Sequence, residues 1–353
     1  MARPDLAWPD PTRRSAFEAW IARVAPAYAL RLDTLRAASS DASFRRYLRI
    51  DGGIDGGTSF IVMDAPPPLE DVRPFMHVAG LLHDAGLNAP TVLAHDVPHG
   101  FLLLTDLGNE LYLAALTEAG ARGDLPRCDT LMRDAIRALV QCQVRVDADQ
   151  LPPYDDAMLR RELQLFPDWC VSRECGVAWS DDDQLVWQAA CDALVASALA
   201  QPTVAVHRDY MPRNLMVTAR NNPGILDFQD AVRGPVSYDL ACLLRDAFIS
   251  WDEAFEIDLA VRYWEAARKA GLVLPDDFGE FWRQVEWMGL QRHLKVLGIF
   301  CRLKHRDGKP SYSDDLPRFF NYAHKAASRY NALRPLARLL EPLMGATRVE
   351  SFC

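Results

Sequence analysis

Residues 207–230 read HRDYMPRNLMVTARNNPGILDFQD. His207, Arg208 and Asp209 open the stretch, Asn214 follows five residues after the Asp, and the run Gly224, Ile225, Leu226 delivers Asp227. Val204, Ala205 and Val206 lead in, and Leu215, Met216 and Val217 lead out past Asn214 toward an Asn-Asn-Pro-Gly turn. That order predicts a strand, a loop, a hairpin and a second short strand ending on a carboxylate. Two carboxylates and an amide oxygen so spaced suit a reaction in which one carboxylate takes a hydroxyl proton while the other oxygens hold a hard divalent cation.

The spacing H-R-D-x-x-x-x-N, then a strand and an Asp, resembles the catalytic loop and metal-binding Asp of kinase-like phosphotransferases. The resemblance implies that Asp209 is the base acting on the acceptor hydroxyl, and that Asn214 and Asp227 hold Mg2+ against the phosphates of ATP. It implies an α+β, protein-kinase-like two-lobe fold. A small antiparallel-sheet lobe over residues 1–107 would bind nucleotide, and a larger helical lobe over residues 108–353 would carry the loop and the acceptor.

At 353 residues the chain exceeds one average core and has room for two lobes. Half of it is hydrophobic and 25% charged, the balance of an ordinary globular protein. No apolar run reaches the roughly 18 residues that a membrane span needs, and the proline-broken N-terminus lacks a signal-peptide core. A cytoplasmic location is expected. The eight cysteines form no C-x-x-C pair, which favours reduced core thiols over a zinc site or a disulfide framework. A net charge of -9 argues against nucleic acid or an anionic membrane as partner and leaves small molecules.

Phe17, Trp20, Ile21 and Val24 fall at helical spacing and predict a helix over about residues 13–27. Small and turn-forming residues 39–43 then precede a strand in which Phe44, Arg46, Leu48 and Ile50 alternate with Arg45, Tyr47 and Arg49. This turn, with Ser40, Asp41 and Ser43, stands where a kinase has its glycine-rich loop, and its hydroxyls and backbone N–H groups are candidate phosphate donors. The strand at residues 59–63 has Met63 where a kinase places its phosphate-pairing lysine. Either Arg45 or Arg46 replaces that cation, or metal and backbone hold the nucleotide; Arg46, sharing the face of Phe44 and Leu48, is the first choice. A helix is expected over residues 71–85 and strands over 91–95 and 101–105. Asp106 and Leu107 then form a hinge whose backbone suits an adenine edge.

Beyond residue 126 the periodicity is helical. Asp239, on an apolar helix expected over residues 236–250, reads as a buried brace for the catalytic loop, as does His207. Over residues 279–306 Arg292, Lys295, Arg302 and Arg306 share one sector of a helix, either a solvated face or a lining for an anionic acceptor. Arg213, Gln229, Arg245 and Arg292 are, with Asp209, the candidate acceptor-binding residues.

HRDYMPRN and LDFQDAVRGPVSYDLACLLRD resemble the aminoglycoside phosphotransferase and choline kinase superfamily. DASFRRYLR (41–49), VMDAPP (62–67) and GLQRHLKVLGIF (289–300) are most similar to its anomeric N-acetylmuramate/N-acetylglucosamine kinases of bacterial cell-wall recycling. The resemblance spans nearly the whole chain. It implies ATP- and Mg2+-dependent phosphorylation of the C1 hydroxyl of a free amino sugar to the alpha-1-phosphate. Two alternatives stand beside it: a kinase of the same fold acting on an aminoglycoside, choline or homoserine, and a nucleotide-binding scaffold without turnover, which the missing lysine suggests.

Overall fold

The structure is a computed structural model that describes Trp8 and residues 10–40, 44–54 and 57–344. Among these residues the strands are β1 (Arg36–Ser40), β2 (Arg46–Gly52), β3 (Thr58–Asp64), β4 (Val92–Asp96), β5 (Phe101–Thr105), β6 (Thr203–Val206), β7 (Leu215–Met216), β8 (Gly224–Ile225) and β9 (Val232–Pro235). The α-helices are α1 (Pro11–Tyr28), α2 (Arg73–Asp84), α3 (Tyr112–Ala121), α4 (Leu125–Arg145), α5 (Asp156–Leu165), α6 (Asp181–Leu199), α7 (Tyr238–Leu244), α8 (Glu253–Lys269), α9 (Phe278–His305), α10 (Leu316–Arg329) and α11 (Arg334–Leu340). No described helix is long and apolar enough to cross a membrane.

The chain divides into two compact units. The smaller comprises Met1–Glu110 with Met216–Asp230. Strands β1 to β5 form an antiparallel sheet in the order β1-β2-β3-β5-β4. Asp10 caps α1 through Arg13 N at 2.7 Å, and the helix lays Phe17, Trp20 and Ile21 on Leu48, Ile50, Phe60, Val62, Phe101 and Leu103. Side chains alternate along a strand, so this face is covered by α1. Tyr47, Met63 and Leu102, which sit opposite one another in register, belong to the other face.

The hairpin of β7 and β8 was expected with the helices, yet residues 216–230 group with the sheet. Backbone bonds explain this: Val217 N donates to Glu110 O (2.8 Å) and Ile225 N to Asn88 O (2.7 Å). Phe228 packs on Phe75 with centroids 4.7 Å apart. Gly224 sits so close to Leu107 that a Cβ there would lie 2.8 Å from its side chain.

The larger unit comprises Leu111–Leu215 and Ala231–Cys353. Its axis is α9, buried along most of its length and packed by α5, α6, α7, α10 and the π-helical segment Phe166–Glu174. At Gly298 the helix passes so near the end of α5 that a Cβ would lie 2.4 Å from the Leu165 carbonyl carbon. The basic sector of α9 is not a solvated face along its length: Arg292 and Lys295 are interior, whereas Arg306 is exposed. The helix expected over residues 236–250 is shorter, and α7 ends at Leu244, where Arg245 leaves helical geometry (φ -126°, ψ 70°). β6 pairs antiparallel with β9, Val206 opposite Val232, and carries the chain into His207.

Candidate active site

In the larger unit the strand β6 ends at a loop held from beneath by one carboxylate. Asp239, fully buried near the start of α7, accepts the backbone N–H groups of His207 (2.7 Å) and Arg208 (3.0 Å). These bonds fix the chain through the left-handed turn at Arg208 (φ 75°), a conformation costly for a side-chain-bearing residue. Burial pushes the Asp239 carboxyl up to about 6, against the opposing pull of His207 and of the two backbone bonds. The His207 ring stays close, its Nδ1 3.3 Å from Asp209 N.

Arg208 has a second tether. Its guanidinium reaches Glu162 at 2.5 Å, and the same carboxylate meets Lys295 at 2.9 Å and the Tyr154 hydroxyl. Burial alone would raise the Glu162 carboxyl, but Lys295 and Arg208 hold it below its ordinary value. Lys295 also donates to the Tyr238 hydroxyl (3.1 Å). Glu162 lies far from the loop in sequence, and no local signal marks it.

Asp209 emerges from this frame with its side chain 44% exposed. The Nδ2 of Asn214 donates to Asp209 O (2.9 Å), which turns the amide nitrogen to the backbone and the amide oxygen away from it. Arg292, 3% exposed, brings Nη2 to 3.8 Å from Asp209 Oδ1 and the same distance from Met211 Sδ. The structure thus sets Arg292 beside the Asp209 carboxylate. Asp246, unnoticed in the sequence, is buried close by. Burial pushes its carboxyl up to about 6 against the attraction of Arg292, and its Oδ2 has no hydrogen-bond partner among the described residues. Arg213 lies over the Phe248 ring, 5.2 Å from its centroid.

Arg245 is a correction. Its expected contact with acceptor is replaced by two interior carboxylates, Glu256 (3.1 Å) and Glu286 (3.0 Å), all three side chains no more than 4% exposed. An arginine so enclosed is a structural ion-pair partner.

In the smaller unit Asp227 also takes a left-handed backbone (φ 60°). Gln229, expected at the acceptor, donates from Nε2 to Asp227 Oδ1 at 2.9 Å and so orients that carboxylate. Arg46 is a second correction: it pairs with buried Asp64, which Arg13 also meets, and lies over the Trp8 ring. The face it shares with Leu48 and Ile50 is the one that α1 covers. Arg45 stands instead near Asp227, Nη2 to Oδ1 at 3.6 Å. The Asp106 side chain is enclosed by Arg49 (2.6 Å), Ser59 Oγ (2.7 Å) and Gly108 N (3.0 Å); burial opposes them, but these bonds hold its carboxyl below the usual range. Asp106 therefore braces the end of β5 with its side chain, which these partners occupy. Asp41 and Ser43 lie outside the described residues, and Ser40 is described by its backbone alone.

Asn214 and Asp227 carry the hard oxygens that Mg2+ takes, and Mg2+ needs only one or two protein ligands because it keeps waters and phosphate oxygens in its shell.

Known proteins bear on this geometry. Residues 34–274 match the model of a phosphotransferase enzyme family. The N-acetylmuramate/N-acetylglucosamine kinase of Pseudomonas aeruginosa is 53% identical over 306 residues, 87% of each chain. That of Neisseria meningitidis is 47% identical over 317 residues, 90% of this chain and 92% of its own. Among solved structures, ADP-bound aminoglycoside phosphotransferase APH(2'')-Ib aligns with a TM-score of 0.57 at 12% identity, covering 92% of this chain and 98% of that one. Choline kinase LicA from Streptococcus pneumoniae aligns with a TM-score of 0.57 at 10% identity, covering 88% and 99%. At such identities these two structures speak for the fold, an antiparallel sheet with a helical body, while the family match and the curated relatives speak for descent. By its motif, its fold and these relatives, the chain belongs to the phosphotransferase enzyme family.

Proposed function

We propose that the protein is an ATP-dependent kinase that phosphorylates the anomeric C1 hydroxyl of N-acetylmuramate and N-acetylglucosamine, giving the alpha-1-phosphate in peptidoglycan recycling. The observation that carries the reading is identity of 47–53%, over nearly nine-tenths of the chain, to enzymes named for these two sugars. The exposed Asp209 on its braced loop supports it. So does the full set of Asn214 and Asp227, which a non-catalytic scaffold has no need to keep.

Phosphoryl transfer runs through a loose transition state, so the protein's task is positioning and charge neutralisation. Asp209 orients the C1 hydroxyl and accepts its proton late; an anomeric hydroxyl is more acidic than an ordinary alcohol, so a modest base suffices. Arg292, beside Asp209, fixes the direction of that carboxylate, and Arg213 is the candidate cation for the lactyl carboxylate of N-acetylmuramate. Asn214 and Asp227 would hold Mg2+, which neutralises phosphate charge when bound, and Gln229 keeps Asp227 aimed. The backbone at Leu107 would meet the adenine.

The test is 31P NMR of a reaction with free N-acetylmuramate, ATP and Mg2+. An acid-labile C1-phosphate is expected. A C6-phosphate, or turnover only with choline, homoserine or an aminoglycoside, refutes the reading. Asp209→Asn should lower kcat by about 10²–10⁴-fold with nucleotide affinity little changed; near-normal turnover removes Asp209 from its role.

A further inference from the structure

Family phosphotransfer requires a cation at the nucleotide phosphates, and the strand position where a kinase supplies it as lysine is Met63, 1% exposed. Met63 stands opposite Tyr47 in the β2–β3 register. Tyr47 and Met63 therefore share a face, and Arg45, two residues before Tyr47, stands just ahead of the start of β2, next to the β1–β2 turn. Arg46 lies on the opposite face, under α1.

The surroundings of Arg45 match this placement. Its side chain is 11% exposed, with Nη2 3.6 Å from Asp227 Oδ1 and Nε 3.7 Å from Glu70 Oε2. Glu70 also accepts the backbone N–H of Phe44 through Oε1 at 3.2 Å, so one carboxylate ties both the guanidinium and the backbone beside it. A cation held by a carboxylate just ahead of α2, and facing the metal-ligand Asp, reproduces the charge pattern of a lysine–glutamate pair with the cation moved to just ahead of the neighbouring strand. Arginine can serve carboxylate and phosphate together because its planar fork carries five donors.

We propose that Arg45 takes the place of the missing strand lysine and contacts the nucleotide phosphates, with Glu70 as its positioning residue. The inference rests on the phosphotransferase reading and not on which sugar is the acceptor.

Calorimetric titration of the full chain with MgATP, MgADP and adenosine tests it, alongside thermal melting. Arg45→Met should weaken ATP and ADP by about 10–100-fold, the worth of a charge-assisted hydrogen bond or two, and leave adenosine and the melting temperature unchanged. Arg45→Lys should recover part of the loss, and Glu70→Gln should show a smaller loss for the same two ligands. Unchanged ATP and ADP affinity in Arg45→Met overturns the proposal, and so does a parallel loss for all three ligands, which marks a purely structural ion pair. If Arg45→Met does not fold, Glu70→Gln decides by the same comparison of nucleotide with nucleoside. No acceptor enters these titrations, so a mistaken sugar leaves the result standing, and a failure here leaves the sugar reading standing.

Discussion

Replacing Asp239 by asparagine should separate the stability of the catalytic loop from its activity, and the sign depends on pH. The carboxyl is fully buried, with a value raised from 3.8 to about 6. A carboxyl raised on folding contributes most to stability below its unfolded value and loses that contribution as pH rises through the folded one. Its window is therefore about pH 4 to 6. The span of roughly two pK units corresponds to about 3 kcal/mol at about 1.4 kcal/mol per unit. Asp239→Asn keeps one acceptor oxygen and has no proton to lose, but strands one of the two buried N–H groups at a cost of about 1–3 kcal/mol. Near pH 8 the cost and the removed ionisation penalty nearly cancel, or the variant gains slightly; near pH 4 the cost stands alone. Urea unfolding of both proteins across this range should show the variant improving relative to wild type by about 3 kcal/mol from acid to alkaline conditions. Turnover at pH 8 should still fall, because the backbone on one side of Asp209 has lost a tether. Asp239→Ala, which strands both N–H groups, should cost about 2–6 kcal/mol. Parallel stability profiles for wild type and Asp239→Asn, or a variant that worsens as pH rises, would refute the reasoning.

Glu162→Gln leaves Arg208 and Lys295 buried without their shared anion, which should cost about 3–5 kcal/mol at neutral pH. Because this carboxyl is depressed on folding, its contribution is present above 4.5 and lost as pH falls through the folded value, the reverse of Asp239; a variant within about 1 kcal/mol of wild type in chemical denaturation would count against the network. Gly298→Ala should lower the melting temperature even though alanine is the better helix former by up to about 1 kcal/mol, since its Cβ would lie 2.4 Å from backbone of α5. A rise in melting temperature would show that α5 can move aside.

The loop and the hairpin were legible because their order is set by local chemistry: apolar strand, carboxylate, amide, turn, carboxylate. Asp239 could be read as a brace because an Asp set among apolar residues at the start of that helix needs a buried partner. What escaped depends on which faces other elements cover. Residues 236–250 keep a helical pattern of apolar residues throughout, yet α7 stops at Leu244, where Arg245 turns toward Glu256 and Glu286, two carboxylates placed by other helices. The periodicity of α9 separates basic from apolar residues correctly, but a helix packed on several sides buries its basic sector as well. The choice between Arg45 and Arg46 shows the limit most clearly. Alternation assigns them to opposite faces of one strand and says nothing of which face meets solvent or ligand. The apolar company of Arg46 favoured it as the cleft residue, when that company is the sheet's contact with α1. Contacts resolve the question: Arg46 pairs with buried Asp64, while Arg45, just ahead of β2, stands beside Glu70 and Asp227. A missing lysine is thus a statement about one strand, and the cation it implies has to be sought beyond it.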